Sequence, residues 1–407
     1  MDPPNPFDAL VLESQTSREA PPADSRKPEA SPLSRDAARH FDLDALRAIL
    51  MVLGVFVHSA YVYAVDLPWK VNSRDASSFF TGLVHALHTF RMPAFFILSG
   101  FFAVMILRRR GTGKFLDLRL RRLMVPLLSA AVLLNSLEAY ILHLLKAPAD
   151  PGHGYYLASA AFYRHWAEGE WVGHLWFLLD VFIYSAGLAA VLALVSAFPG
   201  LRKKGAGALR NLSGATVLVF LLPLANLTGL AIASVSDLFY VRWGGVVQFK
   251  ELLEYLPYFA FGAVLYASPR LMGSLLRVRL WLIPCLAAAF FAGRALAPYQ
   301  SGIGGEAAAL YVSGFLAWTS CILLLSLFKV LLNRPSRPVA YFSEASYSIY
   351  LFHHVCVVAL GAAFLGLEWN IYVEFSIMAA VTLAATMAIH HFLIRRLALL
   401  RFLFNGK

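Results

Sequence analysis

The chain has 407 residues, 59% of them apolar and only 14% charged, with a mean hydropathy of +0.64. Soluble domains carry about a quarter charged residues, so this balance excludes a soluble globule and points to an all-α polytopic membrane protein. The net charge of +11 becomes informative only through its distribution along the chain.

Residues 1–40 hold seven of the twenty prolines and no long apolar run. Such a segment cannot bury a core and is expected to be a disordered cytoplasmic tail. It lacks the basic and apolar regions of a secretory signal, so the first apolar segment is expected to remain in the mature chain. Residues 41–407 form the transmembrane domain. Ten apolar stretches there are long enough, or nearly so, to cross a hydrocarbon core of ~30 Å. They are 43–65, 83–107, 123–145, 174–198, 213–233, 251–267, 280–297, 307–328, 345–366 and 371–393, the sixth and seventh being the shortest. Prolines 93, 126, 223, 257 and 284 fall inside them, which membrane helices tolerate when neighbours satisfy the freed carbonyls.

With the N-terminus inside, 26 Lys and Arg residues fall in inner segments and six in outer loops. By the positive-inside rule both termini face the cytoplasm, and the basicity needs no nucleic-acid partner. Cys285, Cys321 and Cys356 lie in apolar runs and offer neither a disulfide framework nor a metal-ligand spacing, so no metal is expected.

Ionisable groups inside apolar helices are costly and are functional candidates for that reason. The first stretch carries Arg47 and His58. Eleven residues are within ~20° of three turns, so both face one way, ~16 Å apart along the axis. Taken singly, Arg47 is equally a snorkelling residue paired with Asp44, and His58 a packing histidine. The second stretch brings His85, His88 and Arg91 to about the depth of His58, with Glu138 or Asp180 as possible neutralisers of Arg91. His353 and His354 lie near the middle of the ninth, and their ~100° separation predicts that at most one addresses a shared site. The loop RRRGTGKFLDLRLRRLMVP, with Arg119 and Arg122, satisfies the positive-inside rule and also suits an anionic cytoplasmic ligand. There is no P-loop, G-x-S-x-G, H-E-x-x-H or C-x-x-C pattern.

Arg47 and His58, as R-x10-H, resemble the signature of the membrane-bound acyltransferase-3 family. FRMPAFFILSGFF, HLWFLLDVFIY, YLPYFAFGAVLY and ASYSIYLFHH are similar to its other recurring stretches, in order, over residues 41–407. WKVNS at 69–73, HTFRM at 88–92 and the closing LLRFLFNGK look like the branch that succinylates osmoregulated periplasmic glucans, with Lys70 departing from a histidine there. The resemblance implies an inner-membrane enzyme that binds no cofactor and uses acyl-CoA, expected to be succinyl-CoA, as co-substrate. It implies a periplasmic glucan acceptor supplied by the glucan-synthesis machinery.

On that reading His58 takes the proton of the attacking hydroxyl and Arg47 steadies the donor, with Arg119 and Arg122 assisting. Arg91 or His88 stabilises the oxyanion or orients a distal carboxylate. Trp69, Asn72, His174, Trp176, Tyr350 and His353 are expected to contact the acceptor or support the histidines. O-acetylation of another envelope polysaccharide or lipid-linked glycan, and transport of glycan or donor without chemistry, stay open.

Overall fold

The computed structural model describes residues 40–146, 156, 160–198, 200, 204–205, 207, 215–234, 240–243, 246–299 and 302–407. The tail expected at 1–40 lies outside them except for His40. Eight helices among the described residues are long and apolar enough to cross a membrane. They are α1 (Phe41–Tyr61), α2 (Ser78–Arg110), α3 (Thr112–Leu145), α5 (Glu170–Ala197), α9 (Leu282–Tyr299), α10 (Gly304–Leu331), α11 (Arg337–Phe364) and α12 (Ile371–Ile394).

The other two apolar stretches are also helical, as α6 (Ala215–Ser234) and α7 (Phe249–Ala267). α7 opens with Lys250, Glu251 and Glu254, which confine its apolar length to the later turns. Short helices α4 (Ala160–Ala167), α8 (Pro269–Leu275) and α13 (Ala398–Asn405) join or cap the bundle. A two-residue hairpin, Arg242–Trp243 against Val247–Gln248, accounts for the strand among the described residues.

α1 lies within the bundle, packed on α2, α10, α11 and α12. Its Leu46, Leu50, Val55 and Val57 are fully buried, as its apolar periodicity requires. α2 packs along α7 at backbone distance. A Cβ on Gly100 would strike the Phe259 carbonyl, and one on Gly262 the Ile97 carbonyl. Small residues supply this contact because apolar burial alone does not draw helices together within lipid.

Two π turns, Leu120–Met124 and Ala131–Asn135, interrupt α3 and re-aim the residues that follow, Glu138 among them. The α1–α2 loop folds back on itself. Ser73 N–H donates to the Val62 carbonyl at 2.8 Å and Ser77 N–H to that of Tyr63 at 2.9 Å. Trp69 N–H donates to Asn72 Oδ1 at 2.9 Å, and Asn72 Nδ2 donates to the Tyr61 carbonyl at 3.3 Å. Trp69 and Lys70 are thereby held over the end of α1.

Gly100→Ala should destabilise the protein by about 1–3 kcal/mol, because the colliding atom is backbone and cannot swing aside. Thermal unfolding of the purified variant measures this. An unchanged Tm would show that α2 and α7 are not locked at backbone distance.

Candidate active site

Helices α1, α2, α5, α7 and α11 enclose a chamber of about 290 Å³. Its histidines converge from four elements: His58 from α1, His88 from α2, His174 at the start of α5, and His353 and His354 from α11. The His58 ring lies 4.8 Å from His354 and 5.1 Å from His353, centroid to centroid. His174 stacks on His354 at 4.5 Å and 9°. Trp69 covers the group, 5.9 Å from His58 and 5.1 Å from His354. Both histidines of α11 therefore reach His58, where sequence periodicity allowed one. His58 faces the arc between them, so a 100° separation divides their approach without excluding either.

Local backbone features aim these groups. Gly54 sits one turn before His58, and a Cβ there would meet Arg91 Nη1 at 2.9 Å. That gap admits the Arg91 guanidinium against the face of α1 that carries His58. Arg91 is 6% exposed and has no carboxylate within ion-pair reach among the described residues. Glu138 is engaged elsewhere, and Asp180 keeps a buried oxygen without a partner. Gly173 adopts φ 47° and ψ −130° immediately before His174. Only glycine takes this conformation without strain. Asn135, at the end of the second π turn, pins the same turn by donating to the Trp171 carbonyl at 2.6 Å and that of Val172 at 3.2 Å.

A carboxylate borders the chamber. Glu138 Oε2 accepts from His354 Nδ1 at 2.5 Å, and Lys70 Nζ lies 3.5 Å from Glu138 Oε1. Glu138, His174 and His354 bring one ligand atom each within 4.8 Å of one another. The neighbouring ammonium and the direct carboxylate–imidazole bond make this a charge-compensated acid–base pair more than a cation site. Glu138 faces a separate vestibule of about 240 Å³, where His165, Glu170 and Arg164 also lie. Burial, reinforced by Lys70, holds the His165 imidazole below its usual range. Lys70 and Gly173 line both spaces.

Toward the basic end of the bundle opens a larger cavity, about 860 Å³, lined by Arg47, Arg109, Arg119, Arg122 and Lys407. Met51, Phe95 and Phe177 line both it and the histidine chamber. Arg47 is paired with Asp44 at 3.3 Å and donates to Ser343 Oγ at 2.8 Å. Arg119 buries Nε and Nη2 without hydrogen-bond partners. Burial, with Arg122 and Arg47 nearby, lowers the proton affinity of Lys407.

Of the residues singled out in the sequence, His58, His88, Arg91, Trp69, His174, Trp176, Tyr350 and His353 line the chamber. Arg47, Arg119 and Arg122 line the basic cavity. Arg47 and His58 thus share a face of α1 but open into different spaces. Asn72 stays in its loop and holds Trp69. His85, a turn nearer the helix end than His88, is exposed and outside the chamber. His88 Nε2 pairs with the Tyr61 hydroxyl at 3.3 Å, and Tyr350 donates to the His174 carbonyl at 2.8 Å. Lys70, Tyr255 and His354 complete the polar lining, and Glu138 stands behind His354. An acid within an apolar run was the available signal for Glu138; its partner lies 216 residues away.

This architecture, a basic cavity joined to a histidine chamber inside an apolar bundle, coincides with a family assignment. The family model of the acyltransferase-3 group, described as an acyltransferase domain, matches residues 40–391. The chain belongs to that family and is a multi-pass membrane acyltransferase. Relatives named glucans biosynthesis protein C, from Salmonella gallinarum, Salmonella schwarzengrund and Salmonella paratyphi A, are each 27% identical over 382 residues. The alignments cover 91% of this chain and 96% of the relatives. No solved structure matches the chain.

Gly173→Ala forces a side chain into a left-handed conformation and to 3.2 Å from Asn135 Nδ2. It should introduce about 1–3 kcal/mol of local strain and displace His174. Acyl transfer should fall at least tenfold, a factor equivalent to about 1.4 kcal/mol, as followed by formation of the acylated product. Unchanged turnover would show that this turn does not aim the site.

Proposed function

We propose that this acyltransferase moves a succinyl group from CoA, bound in the basic cavity on the cytoplasmic side, to a hydroxyl of an osmoregulated periplasmic glucan, in the bacterial inner membrane. The observation that carries this reading is Arg91, a buried guanidinium beside His58 with no acidic partner among the described residues. An unpaired cation in an apolar interior is costly, and an anionic ligand compensates it. Arg91 packs one turn, ~5.4 Å, along α1 from His58. The two methylenes of a succinyl group separate its free carboxylate from the thioester carbonyl by a similar distance, whereas an acetyl group has no charge to offer.

The donor's phosphates suit Arg119 and Arg122, whose fork geometry matches phosphate oxygens, with Lys407 adding a third cation. Arg47 stands at the start of the α1 stripe along which an extended thioester arm passes Met51 to reach His58. In the chamber the acceptor oxygen bonds to the acyl carbon, the carbon–sulfur bond breaks, and the hydroxyl proton ends on sulfur. His58 takes part in carrying that proton to the sulfur. Trp69 and Trp176 offer aromatic faces of the kind that orient sugar rings. The name borne by the Salmonella relatives supports a glucan acceptor.

Purified protein with succinyl-CoA or acetyl-CoA and periplasmic glucan, with products weighed by mass spectrometry, tests the proposal. Succinylated glucan is expected, and His58→Ala should abolish it with the fold retained. Arg91→Ala removes a charge-assisted contact of about 1.5–3 kcal/mol, so kcat/KM for succinyl-CoA should fall roughly 10- to 100-fold. The preference over acetyl-CoA should narrow with it. A preference unaffected by Arg91→Ala would refute the assignment of Arg91 to the acyl carboxylate.

A further inference from the structure

His58 carries the family signature, yet no carboxylate contacts it. Its Nδ1 is buried without a hydrogen-bond partner, and the Arg91 guanidinium packs against Gly54, one turn away on the same helix. A full positive charge on His58 would face that guanidinium across a few ångströms of the protein interior. The neighbouring ring is built differently. His354 is 3% exposed and its Nδ1 is bonded to Glu138, itself 4% exposed. A carboxylate on Nδ1–H fixes the imidazole tautomer, leaves Nε2 as the acceptor and stabilises the imidazolium once a proton arrives. His354 lines the chamber, Glu138 the vestibule, and their bond crosses the wall between the two spaces.

We propose that His354, held by Glu138, is the group that takes the proton of the acceptor hydroxyl, and that His58 relays that proton to the departing sulfur. This rests on the acyl-transfer reading of the chamber. In the step, the acceptor oxygen–carbon bond forms, the carbon–sulfur bond breaks and the hydroxyl proton passes to His354 Nε2. His58 then takes a proton on one ring nitrogen as it gives the proton of the other to the thiolate. No net charge is left on His58 beside Arg91. His354 returns to its starting state, and His58 is left as the other neutral tautomer and regains the first by proton exchange through the chamber before the next turnover. Lys70 Nζ, 3.5 Å from the far oxygen of Glu138, places a compensating positive charge beside that carboxylate. Glu138 acts through His354 and is a positioning residue, whereas His354 meets the hydroxyl itself.

The test compares acceptors that need a base with one that does not. Full-length wild type, Glu138→Gln and His354→Gln are given succinyl-CoA with glucan, with water alone, or with hydroxylamine, a strong neutral nucleophile. CoA release and the acylated products are measured across pH. Transfer to glucan, and slow hydrolysis by water, should fall roughly 100-fold or more in both variants, within the range of general-base contributions. Hydroxamate formation should stay within about threefold of wild type. Glu138→Gln keeps a hydrogen-bonding side chain of the same size, and thermal unfolding of each variant separates loss of the base from loss of the fold. Equal loss of all three reactions, or transfer to glucan and water retained within a few-fold, would overturn the proposal. Wild-type protein that forms hydroxamate and hydrolyses succinyl-CoA but leaves glucan unmodified would refute the glucan reading alone, with the pair still judged by the water reaction.

Discussion

An ionised side chain inside an apolar helix bundle must be met by opposite charge, by hydrogen bonds or by a ligand, and this molecule meets that demand differently at each such position. Arg47 is answered locally by Asp44 and Ser343. Glu138 is answered by His354 and Lys70 from two distant parts of the chain. Arg91 has no acidic answer among the described residues, and the space around it is the chamber in which five histidines gather. That uncompensated cation is the basis for proposing that a substrate anion binds there.

The backbone makes that arrangement possible at a few points. Gly54 leaves the gap that Arg91 fills, and Gly100 with Gly262 draws α2 and α7 together so that Arg91 and Tyr255 line one space. The second π turn of α3 ends at Asn135, which holds the Gly173 turn and so aims His174. The α1–α2 loop, closed by Asn72, sets Trp69 against the histidines. Rigid packing in the bundle and a few specialised turns together fix groups that come from five separate helices. A reaction requiring a nucleophile, a thioester carbonyl and proton carriers in one place depends on such fixing.

Much of this was legible in the sequence, for identifiable reasons. Apolar length marks membrane helices directly, and all ten stretches are helical. The stripe from Arg47 through Met51 to His58 follows from the helical repeat alone, and the structure shows why it matters: it runs from one cavity to the next. The Glu138–His354 bond was not legible, because pairing across 216 residues leaves no local pattern and the π turns shift the register of α3. The same limit explains the expectation for His353 and His354. Periodicity gives the angle between neighbours on one helix, not the position of the helix they face.

The central claim is that one chamber is reached by donor from the basic end and by acceptor from the other. Sided proteoliposomes test it most directly. Succinyl-CoA is supplied only on the face bearing the basic α2–α3 junction, and glucan is enclosed on the opposite face. Succinylated glucan accumulating on that opposite face, and none when both substrates share the glucan side, is the predicted result. Succinylation only when donor and acceptor share one face would contradict the claim.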